Sequence, residues 1–281
     1  LRNGVEIHTQ TKVESIIFTN PGLEVQTAKG AFKARHVINA SGLSADEISA
    51  MLGINDFKIT PRKGQEFILD KKKENLTNHL LFPLPSKVSK GILVIKTADG
   101  NPMIGPSAEE VEDKEDLSTT EEGLKNVFDG ARKLVPSLSQ EDIIAYFSGL
   151  RPVSGDDFII RHEDQVPGFI NAAGIQSPGL TAAPAIARMV RDILKEKGLK
   201  LEEKEDFIRE RKKPIHLFNI PLSETENMIK QDAGYGDIVC RCELVSAKEV
   251  EDAITSGAKT LDGIKFRTRA QAGRCHGSFC T

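Results

Sequence analysis

The sequence predicts an α/β chain: an α+β sheet region over most of its length, then a small α-helical domain built on four cysteines. Three observations carry this. Short alternating apolar–polar runs recur from residue 5 to 173 and are interleaved with helix-period stretches. A long helical pattern follows a Gly-rich loop at 174–179. All four cysteines lie between 240 and 280, and the first 239 residues have none.

Taken in order, VEIHTQTKVESIIFT (5–19) and LEVQTAKGAFKARHVINA (23–40) alternate as short strands, with turns at Asn20-Pro21-Gly22 and Lys29-Gly30. The run 36–40 predicts a buried strand that stops at Ser41-Gly42, and a helix over 45–52 follows and ends at Gly53. Strand patterns return at 66–69 and 92–97, and Asp99-Gly100 and Asn101-Pro102 are turn signals. The acidic stretch 108–122 predicts an exposed loop. In 120–135, Leu124, Val127, Phe128, Ala131 and Leu134 recur at helical spacing. Strands are predicted at 143–147, 158–161 and 169–173. After Gly179 a long helix then runs to about residue 197, with Ile186, Met189, Val190, Ile193 and Leu194 as its buried stripe and Gly198 at its C-cap. Lys and Glu runs in 195–214, with Pro214 and Pro221, predict a solvated helix end and an extended connector. The expected organisation is a domain at 1–200, a linker at 201–235 and a second domain at 236–281.

Composition narrows the function classes. The chain has 281 residues, 39% hydrophobic and 28% charged, with a net charge of -3. Such a balance suits a soluble globular protein and gives no basic surface for nucleic acid or anionic lipid. No apolar run approaches the length of a membrane span. The opening LRNGVEIHTQ lacks a signal-peptide core and reads as mid-domain sequence, so the chain reads as a piece of a longer, cytoplasmic protein.

The cysteines form the pattern Cys240-Arg241-Cys242, then 32 residues, then Cys275-His276-Gly277-Ser278-Phe279-Cys280. Four thiolates can hold an iron–sulfur cluster, and each close pair is short enough to grip one iron. Structural zinc also uses four cysteines, but favours pairs two to four residues apart, which Cys-x-Cys fits poorly. Disulfides would require an oxidising compartment. A [2Fe–2S] cluster is the expectation and zinc the alternative. Between the pairs, Ser246 and Glu249 form a capping box for a helix over 247–256 stopped by Gly257, and a second helix is expected to start near Thr268. Arg241, Lys265, Arg267, Arg269 and Arg274 flank the thiols; they either raise the cluster's potential or form a plain solvated basic surface. His276 reads as an exposed loop residue.

Two Gly-rich stretches stand out in the larger region. Val37-Ile38-Asn39-Ala40-Ser41-Gly42 is a strand that ends in small residues, which let a ligand approach the backbone. Residues 169–181 (FINAAGIQSPGLT) predict a strand, a Gly loop and a helix start, whose free N–H groups suit an anion or an electron-rich ring edge. Gly174 and Gly179 have the spacing of a phosphate loop, but Leu180 stands where its Lys belongs, which excludes an ATPase.

Together these stretches resemble the FAD-dependent oxidoreductases of the D-amino-acid oxidase and glycerol-3-phosphate dehydrogenase superfamily. Asn39-Ala40-Ser41-Gly42 is similar to their second FAD-contacting strand end, and Leu150-Arg151-Pro152 with 174–181 to their late flavin motif. Thr11-Lys12-Val13-Glu14-Ser15-Ile16 resembles the adenine-side strand, and 99–106 a stretch of the substrate half. The resemblance implies part of a Rossmann-like FAD domain with Val13, Ala40, Ser41, Gly42, Gly174, Ile175, Gly179, Leu180 and Thr181 at FAD. CRC…GRCHGSFC resembles the [2Fe–2S] domain of bacterioferritin-associated ferredoxin and implies Cys240, Cys242, Cys275 and Cys280 as ligands. Fusion of the two is typical of anaerobic-type glycerol-3-phosphate dehydrogenases. The family's opening Gly-x-Gly-x-x-Gly is not in this sequence, which implies that the chain alone binds FAD weakly or not at all and is inactive.

The resemblance implies hydride transfer from a small anionic substrate, glycerol 3-phosphate or a hydroxy acid, to FAD. Electrons then pass through the cluster to an acceptor protein or quinone-linked subunit at the inner face of the membrane. Arg151 is the first candidate to hold the substrate's phosphate or carboxylate, and Arg62 the second. His8, His36, His79, His162 and His216 are scattered and none is assigned as a base. The alternatives are an L-2-hydroxyglutarate or amino-acid dehydrogenase-like enzyme, and a non-catalytic electron-transfer subunit with a four-cysteine metal site.

Overall fold

The computed structural model describes residues 3–19, 21–84, 91–210 and 213–281, so Asn20 of the first predicted turn lies outside the described residues. The first segment builds a three-stranded antiparallel sheet from β1 (Val13–Phe18), β2 (Leu23–Thr27) and β3 (Gly30–Ala34). Residues 5–12, expected to be extended, form no strand. Next come β4 (Val37–Asn39) and helix α1 (Ala45–Ala50), and Gly53 closes the turn at φ +76°. β4 is less buried than its apolar pattern predicts, with Ile38 41% exposed. It is an edge strand among the described residues, so one side of it has no neighbour.

A second sheet holds β5 (Thr60–Leu69), β6 (Leu93–Lys96), β7 (Pro102–Gly105), β8 (Glu109–Glu110) and, beyond helix α2 (Glu121–Leu134), the long strand β9 (Ile143–Val153). Thr120 caps α2 by accepting from Gly123 N–H. The helix lays Val127, Phe128 and Ala131 on Phe67, Leu69, Val94 and Ile104, which is the main core. Each large side chain there contributes about 1.5–3 kcal/mol by leaving water. Because α2 covers one face of β5, the alternate residues Arg62, Gly64, Glu66 and Ile68 face the other way.

The loop at 111–119 is strapped down rather than free. The buried Lys63 binds Asp116, and Lys114 reaches Asp46 (2.7 Å) and Glu47 (2.8 Å). β10 (Ile159–His162), β11 (Phe169–Ala173) and β4 then form a third sheet in the order β10-β11-β4, with β11 and β4 parallel. Helix α3 (Gly179–Glu196) packs on β10 and β11 and ends at Gly198 (φ +90°). Of its predicted stripe only Ile186 is buried, and Met189 is 50% exposed, because the sheet beneath it is only three strands wide.

Within the predicted extended connector lies helix α4 (Leu222–Gln231), which carries no buried residue. The C-terminal module has β12 (Ile238–Cys240), β13 (Val245–Ser246), α5 (Ala247–Thr255) and α6 (Leu261–Thr268). The Ser246–Glu249 capping box is present as read from sequence. The sequence predicts that the second helix begins near Thr268, yet α6 ends there. Thr260 caps its start through Gly263 N–H, and left-handed backbone at Arg269 (φ 69°) stops it.

Candidate functional site

The parallel pair β4·β11 sets the geometry of the larger site. Asn39 and Asn171 are opposite each other in register, so 40–42 and 174–175 emerge side by side at the strands' C-terminal ends. Ligands of α/β sheets bind at such ends. The two asparagines are buried and joined: Asn39 Nδ2 donates to Asn171 Oδ1 (2.8 Å) and to Ala45 O (2.8 Å). Ser49 Oγ also donates to Asn171 Oδ1 (2.8 Å), and Asn171 Nδ2 donates to Glu163 Oε1 (2.7 Å). Ser41 Oγ donates to Asn39 Oδ1 (2.6 Å), so the network reaches the exposed small residues themselves. Sequence reasoning missed this network, although Asn inside an apolar strand is its signature.

Gly174 sits at φ +65° with Ser154 against it, a place where a Cβ would be both strained and crowded. Gly42, at φ +60°, faces open space. Gly179, Leu180 and Thr181 form the first turn of α3. No side chain caps this turn and no acidic residue lies in it, so its positive end is free for an anion or ring edge. Leu180 is 92% exposed. Val13 opens β1, in a different sheet from the other cofactor candidates. The donors and bare backbone at 40–42 and 174–181 fit the flavin end of FAD.

The second sheet abuts this edge. Ile59, Ala45 and Ala173 share a buried cluster with Leu43, which brings the start of β5 to the ends of β4 and β11. Two rungs along, Arg62 and Arg151 are directly opposite on β5 and β9, on the face that α2 leaves uncovered. Gly64 and Gly149 are opposite in the same ladder; Gly64 is packed under Pro106 and the Arg151 guanidinium, while Gly149 faces open space. Arg62 pairs with Glu110 (2.9 Å). Arg151 instead donates to carbonyls, Nη2 to Ser107 O (2.7 Å), with Arg62 O and Lys63 O at 3.4 Å. Among the described residues no carboxylate forms an ion pair with Arg151. Burial and the neighbouring Arg62 hold its pKa below the ordinary value, and burial raises that of Glu66 nearby. An anion placed here would relieve the first of these.

In the C-terminal module the two thiol loops come together. Cys242 Sγ lies 3.3 Å from Cys275 Sγ, and Cys280 packs against the small core that holds Cys240. The four cysteines expected from the sequence thus gather at one end of the module. Burial pushes Cys242 up to about 11 and raises Cys280, while the hydrogen bond from Cys242 lowers Cys275. Among the described residues no three His, Cys, Asp or Glu side chains gather as one metal ion needs. Four cysteines on two facing loops are the donor set that a [2Fe–2S] cluster takes, and His276 is exposed on a loop. Cys240, Val245 and Ala270 form the small core behind them.

The fold and both sites define a redox protein with a flavin half-site and a cysteine-bound cluster site. The family model for FAD dependent oxidoreductases matches residues 1–193, and that for the BFD-like [2Fe–2S] binding domain matches 238–281. A glycerol 3-phosphate dehydrogenase of Caloramator mitchellensis is 42% identical over 284 residues, covering 100% of this chain and 59% of that protein. The anaerobic glycerol-3-phosphate dehydrogenase subunit A1 of Haloferax volcanii is 26% identical over 312 residues, covering 99% of this chain and 51% of its own. Among solved structures, the FAD-bound L-alpha-glycerophosphate oxidase of Mycoplasma pneumoniae superposes with a TM-score of 0.65 at 32% identity, over 73% of this chain and 54% of that one. The chain belongs to the FAD dependent oxidoreductase family and carries a C-terminal BFD-like [2Fe–2S] binding domain. It spans between half and two thirds of the length of these relatives. No helix among the described residues is long and apolar enough to cross a membrane.

Proposed function

We propose that the chain is the greater part of a glycerol 3-phosphate dehydrogenase, with residues 1–200 on the flavin side, 201–235 as linker and 236–281 around the cluster. The observation that carries this reading is Arg151, a half-buried guanidinium held by carbonyls, directly opposite Arg62 on the neighbouring strand. Arg151 has no carboxylate partner among the described residues and Arg62 has only Glu110, which is largely exposed; two such adjacent cations suit a dianionic phosphate. The printed names of the Caloramator, Haloferax and Mycoplasma relatives support the same substrate.

When bound, FAD supplies two-electron acceptance and the [2Fe–2S] cluster one-electron passage. The chain's own residues then have separable tasks. Arg151 and Arg62 bind the phosphate and so orient the carbinol carbon. The uncapped start of α3, with Leu180 and Thr181, supplies a positive field to the flavin edge that gains charge. Gly42 and Gly174 keep the backbone low enough for close approach. Cys240, Cys242, Cys275 and Cys280 hold the cluster, and a partner subunit takes the electrons, as the subunit naming of the Haloferax relative supports.

The test is anaerobic dye reduction by the protein completed to the length of its relatives, with glycerol 3-phosphate, glycerol, L-2-hydroxyglutarate and amino acids compared. Glycerol 3-phosphate is expected to be preferred. Arg151→Met is expected to lower kcat/KM about 100-fold, the loss of one charge-assisted contact pair, while reduction of the protein by dithionite is unchanged. Preference for a carboxylate substrate would replace this reading by the hydroxy-acid one.

A further inference from the structure

The cluster module is not left hanging on its linker. Arg269 and Arg274 both leave the module and end on the larger domain. Arg269 sits just past α6 in left-handed backbone, and each of its guanidinium nitrogens has a different partner. Nε donates to Glu243 Oε2 (2.8 Å), Nη1 to Asp99 Oδ2 (2.7 Å) and Nη2 to Asn101 Oδ1 (2.8 Å). Glu243 follows the ligand candidate Cys242 and is 5% exposed, while Asp99 and Asn101 form the turn between β6 and β7. Asn101 is 2% exposed and anchors itself by donating to Leu69 O (2.9 Å), at the end of β5. Arg274, beside Cys275, reaches Asp70 Oδ2 (2.7 Å) one residue further along. Both arms, one bonded to Glu243 beside the first thiol loop and one beside Cys275, reach the same end of β5.

Between the arms lies a cavity of about 420 Å³ with Cys242 and Cys275 on one wall and Asp70, Asn101 and Ile144 on the other. Ile144 is near the start of β9, the strand whose far end carries Arg151. The fixed contacts therefore hold the Cys242–Cys275 pair across this cavity from one end of the β5·β9 ladder, and Arg62 and Arg151 stand toward the other.

We propose that Arg269 and Arg274 are positioning residues that clamp the cluster module onto the β5 end of the larger domain, through Asp99, Asn101 and Asp70. The clamp fixes the distance between cluster and flavin side, which a linker alone would leave variable. This does not rest on the substrate assignment, because the contacts are the same whichever donor is oxidised.

Removing the arginines would strand the buried Glu243, so the test is made on the receiving side. In Asp99→Ala with Asp70→Asn, the Asn keeps the oxygen that caps Lys72 N–H; the two interdomain ion pairs are lost, and Arg269 keeps Glu243 and Asn101. Hydrogen exchange of the full chain is followed by mass spectrometry together with small-angle scattering. Peptides covering 97–101, 241–243 and 269–275 are expected to exchange about ten- to a hundredfold faster, the range for a lost charged hydrogen bond. The radius of gyration is expected to rise, while β5, β9 and the iron content per chain keep their wild-type values. Asp99→Glu in place of Asp99→Ala is expected to restore most of the protection. Unchanged exchange and scattering in the double variant would overturn the proposal. So would loss of iron with uniform loss of protection, since that means a folding role and not a positioning one.

Discussion

The two sites of this chain are built on opposite plans. The cluster site is local: Cys242 and Cys275 are 33 positions apart and the module around them has its own small core. The flavin-side site is assembled from distant segments, and its keystone pair, Asn39 and Asn171, is separated by 132 positions. A local site depends on caps and tight turns. A site made of distant strand ends depends on the buried bonds that keep those ends in register. The same kind of mutation should therefore do different things in the two halves.

The largest effect on stability is expected at Asn171. Asn171→Ala removes one amide but leaves the Asn39 amide, the Ser49 hydroxyl and the Glu163 carboxylate without that partner in a buried place. A cost of about 3 kcal/mol follows from stranding such groups, read as a lower denaturant midpoint for the larger domain with the module's transition unmoved. A uniform shift of both transitions would deny the contrast. Ser246→Ala is the module's counterpart. It removes one half of the capping box and is expected to cost about 1 kcal/mol, confined to 238–281 by hydrogen exchange.

The smallest effect concerns acid. The hydrogen bond from Lys63 lowers the Asp116 carboxyl to about 2, below its ordinary value. A carboxylate whose folded pKa is depressed stabilises the fold above its unfolded pKa, and that contribution fades as pH falls through the folded value. The strap at 111–119 should therefore hold from neutral pH to about 4 and loosen between there and about 2. Asp116→Asn should remove this pH dependence from exchange of the 111–119 amides. An identical profile in the variant would mean that Lys63 does not hold the loop.

The same contrast explains what could be read from sequence. Local signals were legible: the Ser246 cap, the α2 periodicity, Gly53, Gly198 and Gly257 as helix stops, and the four clustered cysteines. Short-range reading failed where tertiary contacts decide. The approach of the first thiol loop to the second, Cys242 to Cys275, is a tertiary contact that no spacing of cysteines reveals. Arg269 reads as one of several basic neighbours, and Asp99 as a turn residue, until the fold puts them 2.7 Å apart. α4 was missed because its few apolar residues form no stripe that becomes buried. The Gly-rich strand ends of the flavin side were legible as pieces. Their meeting with Arg62 and Arg151 was not, since it depends on the β5·β9 register.

Four thiols on two facing loops, Cys240 and Cys242 with Cys275 and Cys280, are proposed to hold a two-iron cluster against the larger domain. Anaerobic reconstitution of the chain with iron and sulfide, followed by metal and sulfide analysis and electron paramagnetic resonance of the dithionite-reduced protein, tests this directly. About two iron and two sulfide per chain are expected, with a reduced [2Fe–2S] signal that is lost in Cys242→Ser. Tight uptake of about one zinc per chain, with no sulfide and no signal on reduction, would contradict it.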